Sequence, residues 1–284
     1  MKVQARAKIN LALDVVERMD NGYHSLDMIM APISICDEIE IEVGICDEVT
    51  CEGMKLPENN TVSKMVQVLK ELYHLSSNYK ISIKKHIPAQ AGLGGGSADA
   101  APVCKAILQM EGIEETEENL YEITKQVGAD VPFCIRKGTM LSEGIGEILT
   151  PLTPLPPMWT LLIKPNISIS TAYVYDNLDL QKQLEHPDTD AVLDAITHCD
   201  GAKVAHLLSN VLETVTIPKY PVLAELKQFL LENGAVGALM SGSGPTTYGL
   251  FQDEIAARMA LSAATQKYTN YDVILCQTKN VPAL

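Results

Sequence analysis

Three stretches of this chain hold residues whose types and spacing could do chemistry. In Pro88-Ala89-Gln90-Ala91-Gly92-Leu93-Gly94-Gly95-Gly96-Ser97-Ala98, four glycines fall in five positions. A backbone with so few Cβ atoms lets a ligand come close to its N–H groups. Upstream, Tyr79-Lys80-Ile81-Ser82-Ile83-Lys84-Lys85 alternates apolar and polar side chains as a half-buried strand does. Downstream, Ser97 to Met110 reads as a helix with Val103, Ile107, Leu108 and Met110 on its apolar face. Strand, loop and helix start aim free N–H groups and the positive end of the helix dipole at one small volume. The guest expected there is a polyanion, most simply a nucleotide phosphate chain. Neither common glycine loop is present. Gly96 is followed by Ser97-Ala98 rather than Lys-Ser/Thr, and a dinucleotide fingerprint begun at Gly92 would need glycine at Ser97.

The other two stretches are less specific by themselves. Val3, Ala5, Ala7, Ile9, Leu11 and Leu13 alternate with Gln4, Arg6, Lys8, Asn10 and Ala12, so Lys8 and Asn10 point the same way from one strand. Spacing alone makes them a polar, solvent-facing edge. In Gly128-Ala129-Asp130-Val131-Pro132-Phe133 an acid is wedged between a helix end and an apolar run. By itself it reads equally as a turn aspartate bonding a backbone N–H.

The whole chain bounds these possibilities. With 284 residues and 46% apolar composition it can bury a large core, as one long or two modest domains. A formal charge of -14 and the lack of a basic stripe argue against a nucleic-acid partner, while leaving room for a local pocket that holds a small anion. No apolar run approaches the roughly 20 residues of a membrane helix. The polar start Met1-Lys2-Val3-Gln4 does not read as a signal peptide, so a cytoplasmic location without a membrane partner is expected. Seven cysteines, odd in number and without a Cys-x-x-Cys pair, read as reduced core residues.

The elements expected to carry these residues follow in order. Arg18 to Gly22 is a turn, followed by the loop Gly22-Tyr23-His24. Ser25–Ile35 and Asp37–Val43 read as two strands, and Asp47–Glu52 as a short partner. Asn60-Thr61 starts a helix reaching about Leu75. Thr116 caps another, which Gly128 stops. Four prolines in eight residues (150–157) mark a domain boundary. Met158–Ile163 is a strand, and Ser170-Thr171-Ala172 opens a short helix bearing Tyr173 and Tyr175. Helices are expected at 189–199, 202–214 and 221–233, then a strand at 235–240, a tight loop Ser241-Gly242-Ser243-Gly244-Pro245, a strand at 246–251, a helix at 253–267 and a strand at 271–278. Uneven alternation of strands and helices predicts α+β layers with the helices on one face.

Taken together, the motifs resemble the GHMP kinases, small-molecule kinases that include galactokinase, homoserine kinase and mevalonate kinase. The specific pattern is Pro-x-x-x-Gly-Leu-Gly-Gly-Gly-Ser-Ala at 88–98. Ala7-Lys8-Ile9-Asn10-Leu11, Gly22-Tyr23-His24, the 128–133 string, Gly138–Glu147, Ser170-Thr171 and Ser241–Pro245 extend the resemblance along nearly the full length. They point to the branch whose acceptor is a cytidine-diphosphate-linked methylerythritol.

The resemblance implies an α+β, two-domain GHMP kinase fold: an N-terminal ribosomal S5-like domain (1–152) and a C-terminal ferredoxin-like domain (158–284). It implies an enzyme of isoprenoid precursor biosynthesis that moves the ATP γ-phosphoryl group to the acceptor's 2-hydroxyl, using Mg²⁺, as a monomer or homodimer. Lys8 and Asp130 would be catalytic. The loop 88–98 would hold the phosphates. Asn10, Tyr23, His24, Thr171 and Tyr175 would bind the acceptor, the aromatic rings taking the cytosine. Ala98-Asp99 departs from the Ser followed by Asp or Asn of many members, which leaves the protein ligands of the metal open. Two alternatives stand beside this: a GHMP kinase for another small alcohol such as homoserine or mevalonate, and a nucleotide sensor without catalysis.

Overall fold

The computed structural model describes residues 1–20, 22–136, 138–180 and 184–279. The expected turn at Arg18–Gly22 includes Asn21, and the expected second domain includes 181–183 and 280–284; these residues lie outside that description. Two long strands open the chain, β1 (Lys2–Arg18) and β2 (His24–Gly44), antiparallel along most of their length. β3 (Glu48–Cys51), α1 (Thr61–Tyr73) and β4 (Asn78–Lys84) follow. Asn60 starts α1 by accepting from the N–H groups of Val62 and Ser63. Then come α2 (Gly95–Met110), α3 (Glu117–Lys125), α4 (Val131–Arg136) and the hairpin β5 (Met140–Gly144)–β6 (Ile148–Pro151).

The first sheet runs β3-β4-β2-β1, with β5 on the first half of β2 and β6 on β5. β2 is one strand where the sequence suggested two. Nothing between Ile35 and Asp37 breaks an extended chain. β2 simply changes partner, from β5 at Leu26–Met30 to β4 at Glu38–Gly44. The β1–β2 register slips between Arg6 and Lys8 and again between Asn10 and Ala12. Such bulges re-aim side chains, and here they bracket Lys8 and Asn10.

The second half begins with β7 (Trp159–Lys164), α5 (Thr171–Asp176), α6 (Thr189–Thr197) and α7 (Gly201–His206). β8 (Ser209–Asn210) and α8 (Glu213–Lys219) come next. Then follow α9 (Val222–Glu232), β9 (Gly237–Met240), β10 (Thr247–Phe251), α10 (Glu254–Lys267) and β11 (Asp272–Gln277). The helix expected over 202–214 does not form as one piece. It stops after His206, and Ser209-Asn210 pair in parallel with Ala12-Leu13 of β1. The apolar spacing there is real but serves two places: Val204 and Ala205 bury in one core cluster, Val211 and Leu212 in the other.

The second sheet runs β11-β7-β10-β9, all antiparallel. Counted within this half, the strand order is fourth, first, third, second, with α9 and α10 as the crossovers. That is the split βαβ arrangement of ferredoxin-like folds. α9 and α10 cover one face of this sheet; the other, with Leu162, Leu239, Tyr248 and Leu250, joins the core of the first half. Covering on both faces accounts for the unbroken burial of β9 and β10.

Candidate active site

Gly94, with φ +70°, is the N-cap of α2 in the left-handed region that favours glycine. The helix therefore starts at Gly95, two residues before the sequence suggested. Its first bond runs from Ala98 N to Gly94 O at 2.8 Å. The N–H groups of Gly95, Gly96 and Ser97 precede that bond and have no partner inside the helix. Their arrangement, with the helix dipole behind them, suits phosphate oxygens. Ala91, Leu93 and Ala98 in the same loop are buried and pack it down.

Lys8 lies directly beneath this cradle. Its backbone N–H donates to Leu93 O at 3.1 Å. A Cβ placed on Gly94 would stand 3.1 Å from Lys8 Cγ and 3.8 Å from Asp130 Oδ2. The Lys8 ammonium donates to Asn10 Oδ1 at 2.7 Å and lies 3.7 Å from Asp130 Oδ2. The Lys8 side chain is only 6% exposed and Asn10 is fully buried, while Asp130 remains 32% exposed. So the strand pattern correctly placed Lys8 and Asn10 on one face, but that face is interior rather than a solvent edge. Asp130 immediately precedes α4, where its carbonyl accepts from Cys134 N at 3.2 Å. A buried cation beside a half-open carboxylate, both next to N–H groups that precede the first helical bond, can polarise a hydroxyl and balance the charge of phosphates.

Two of the aromatic residues meet within reach of the Asp130 charge. The rings of His24 and Tyr175 lie 5.3 Å apart, tilted by 35°. Burial, and then the negative charge of Asp130, push the Tyr175 hydroxyl well above its ordinary range. Burial and the nearby Arg18 lower the His24 pKa, with Asp176 partly offsetting them. His24 and Tyr175 are thus brought together near the carboxylate, while Tyr23 is 60% exposed on the approach. Thr171 faces the second glycine loop, with its Oγ1 2.9 Å from Ser243 Oγ. Gln90, at the loop's outer end, takes a hydrogen bond from Ser168 at 3.2 Å. Pro88 and Ala89 lead into the loop ahead of Gln90.

Sequence reasoning missed how Ser241–Gly244 enters the site. Gly92 has φ +74°, and a Cβ there would fall 2.1 Å from Ser241 O, so the two glycine loops touch backbone to backbone. Ser241 Oγ donates to Gly92 O at 2.9 Å. Two runs of closely spaced glycines were the available signal, but nothing in their spacing says that they meet. Tyr248 was also missed: its hydroxyl donates to Asn10 O at 2.6 Å, beside the bulge.

Beneath the loop, Lys85 donates to Asp99 Oδ2 at 2.9 Å and to Asp37 Oδ2 at 2.5 Å. Asp37 also accepts from the His86 and Ile87 N–H groups. Burial raises the Asp99 pKa to about 7 against the pull of Lys85, and its Oδ1 has no partner. A groove of about 1150 Å³ lies between the first residues of β1 and α2 and includes neither Lys8 nor Asp130.

A strand, a glycine loop and a helix start over a lysine–aspartate pair, on a two-sheet α+β scaffold, are the features of a small-molecule kinase. Residues 60–138 match the family model for the GHMP kinases N terminal domain and 181–270 that for the GHMP kinases C terminal region. The chain belongs to the GHMP kinase family. Its relative in Acetivibrio thermocellus, 43% identical over 98% of this chain and 99% of its own, is a 4-diphosphocytidyl-2-C-methyl-D-erythritol kinase. A crystal structure of 4-(cytidine 5'-diphospho)-2C-methyl-D-erythritol kinase superposes with a TM-score of 0.82 at 29% identity, covering 99% of this chain and 100% of that one. Homoserine kinase from Cytophaga hutchinsonii, at TM-score 0.77 and 18% identity over 98% and 94% of the two chains, shares the fold.

Proposed function

We propose that this chain transfers the γ-phosphoryl group of ATP to the 2-hydroxyl of 4-diphosphocytidyl-2-C-methyl-D-erythritol. The observation that carries this is the approach of Lys8 to Asp130 at 3.7 Å beneath the open N–H groups of the α2 start, with the His24–Tyr175 pair beyond them. Loop N–H groups hold the β- and γ-phosphates. Asp130 takes the proton of the 2-hydroxyl as that oxygen attacks phosphorus and the bond to the ADP oxygen breaks. Lys8 balances the charge that develops on the transferring group, and Asn10 holds the ammonium in place. Tyr175 and Tyr23 stack against cytosine and His24 reads its edge; a good aromatic stack adds roughly 0.5–1.5 kcal/mol beyond burial.

Among the described residues no cluster of three or more His, Cys, Asp or Glu could cage a metal. Mg²⁺ carried on the ATP phosphates would keep most of its waters and ask for few protein ligands. Ser97, in the first turn of α2, is the side chain that would meet it. When bound, the ion neutralises phosphate charge.

The division into 1–152 and 158–284 belongs to the same reading, supported by the change of sheet between β6 and β7. So do a cytoplasmic setting and a monomer or homodimer. The test is ADP release with CDP-methylerythritol, homoserine and mevalonate as acceptors. Turnover with the first alone is expected; preference for either of the others overturns the substrate, and ATP binding without turnover on any of them leaves a sensor.

A further inference from the structure

The break in the 202–214 segment places two side chains on the second glycine loop. Asn210, on β8, is 5% exposed and uses its whole amide. Its Nδ2 donates to Met240 O and Gly242 O, both at 2.8 Å, and its Oδ1 accepts from Leu212 N at 3.0 Å. Three residues on, Glu213 Oε1 accepts from Met240 N at 2.8 Å, while its other oxygen pairs with Lys227. Met240 is thus held at both backbone groups and Gly242 at its carbonyl. Met240 ends the edge strand β9 and Gly242 lies in the turn beyond it, and an asparagine amide is a side chain that can serve both buried carbonyls at once.

The loop so held is the one on which the phosphate loop rests. Ser241 Oγ donates to Gly92 O, and the Gly92 backbone leaves no room for a Cβ against Ser241 O. A Cβ on Gly242 would stand 3.7 Å from Asn10 Oδ1, the acceptor of the Lys8 ammonium.

We propose that Asn210 and Glu213 are positioning residues for phosphoryl transfer: they fix residues 240–242, and through the Ser241–Gly92 contact they set where the phosphate loop stands over Lys8 and Asp130. Neither residue needs to touch a substrate. The inference rests on the kinase reading above, and wild-type turnover is its premise.

The experiment is a double-mutant cycle. Asn210→Asp keeps the side chain's size but turns an oxygen toward the two carbonyls. Ser241→Ala removes the joint to Gly92. Each is expected to lower kcat about tenfold or more, since misplacement by ~1 Å can cost on the order of a hundredfold. KM for ATP should stay within about threefold, because the loop N–H groups remain. The double variant should lose no more than the worse single one, because both cut the same link. Ile196→Ala, a core truncation in α6, serves as a control that lowers Tm and keeps kcat. If Asn210→Asp proves unfolded, Glu213→Gln replaces it in the cycle. Additive losses, kcat within twofold of wild type, or an equal kcat loss in Ile196→Ala at the same drop in Tm would overturn the proposal. A wild-type protein that transfers no phosphoryl group would instead overturn the kinase reading.

Discussion

Replacing Gly94 by alanine tests whether the cradle's position over Lys8 controls turnover. Two effects add at this residue. Its φ of +70° costs an L-residue about 1–3 kcal/mol. The new Cβ also meets Lys8 Cγ at 3.1 Å and Cε at 3.4 Å, so the lysine stem must give by a few tenths of an ångström. That stem ends in the ammonium held by Asn10 and facing Asp130, and it has little free space because the side chain is 6% exposed. Relief therefore comes from moving the ammonium or the loop, and a shift approaching 1 Å costs about a hundredfold in rate. Gly95→Ala is the matched comparison. Gly95 has no positive φ, and its Cβ would face Ile87 Cγ2 and Lys85 Nζ at 3.3 Å, the second being the far end of a flexible side chain. Initial-rate kinetics with varied ATP, alongside thermal unfolding, should show Gly94→Ala losing one to two orders of magnitude in kcat and Gly95→Ala losing little. Gly94→Ala within threefold of wild type would refute the claim that the loop and Lys8 are geometrically coupled.

Asp130→Asn should lower kcat by about 10²–10⁴, the usual share of a general base, while calorimetry finds ATP affinity unchanged; near-normal turnover would make Asp130 a turn residue only. Tyr175→Ala should raise KM for the cytidyl acceptor and not for ATP, and His24→Ala should narrow a cytosine-over-uracil preference that begins at roughly tenfold, the cost of one unpaired buried polar group. An effect confined to ATP would remove the pair from the acceptor site. Because the folded His24 pKa is depressed below 6.5, its stabilising share is present above that pH and is lost as pH falls through the folded value; His24→Gln should flatten the acid limb of acceptor kcat/KM. Asp99 has the opposite sign. Its folded pKa is raised from 3.8 to about 7, so its stability share is full below about pH 4 and declines as pH rises through 7, and Asp99→Asn should flatten the Tm profile in that window.

Sequence alone was enough for the parts of this protein that local geometry dictates. Glycine spacing between a strand pattern and a helix pattern marked a loop running into a helix start, where free N–H groups are a property of the backbone. Period-two alternation put Lys8 and Asn10 on one face, since side-chain direction in a strand depends only on position. Tertiary structure decided the rest. Whether that face met solvent or a carboxylate depended on Asp130, 122 positions later in the chain than Lys8, arriving beside β1. The contact between Gly92 and Ser241 joins residues 149 apart, and no local rule couples them. The false helix at 202–214 has the same origin: its apolar spacing satisfied a helix, but pairing of Ser209-Asn210 with β1 and the carbonyls of the second glycine loop offered the backbone and Asn210 better partners. Propensity is a weak local preference, and burial with hydrogen bonds from distant strands outweighs it.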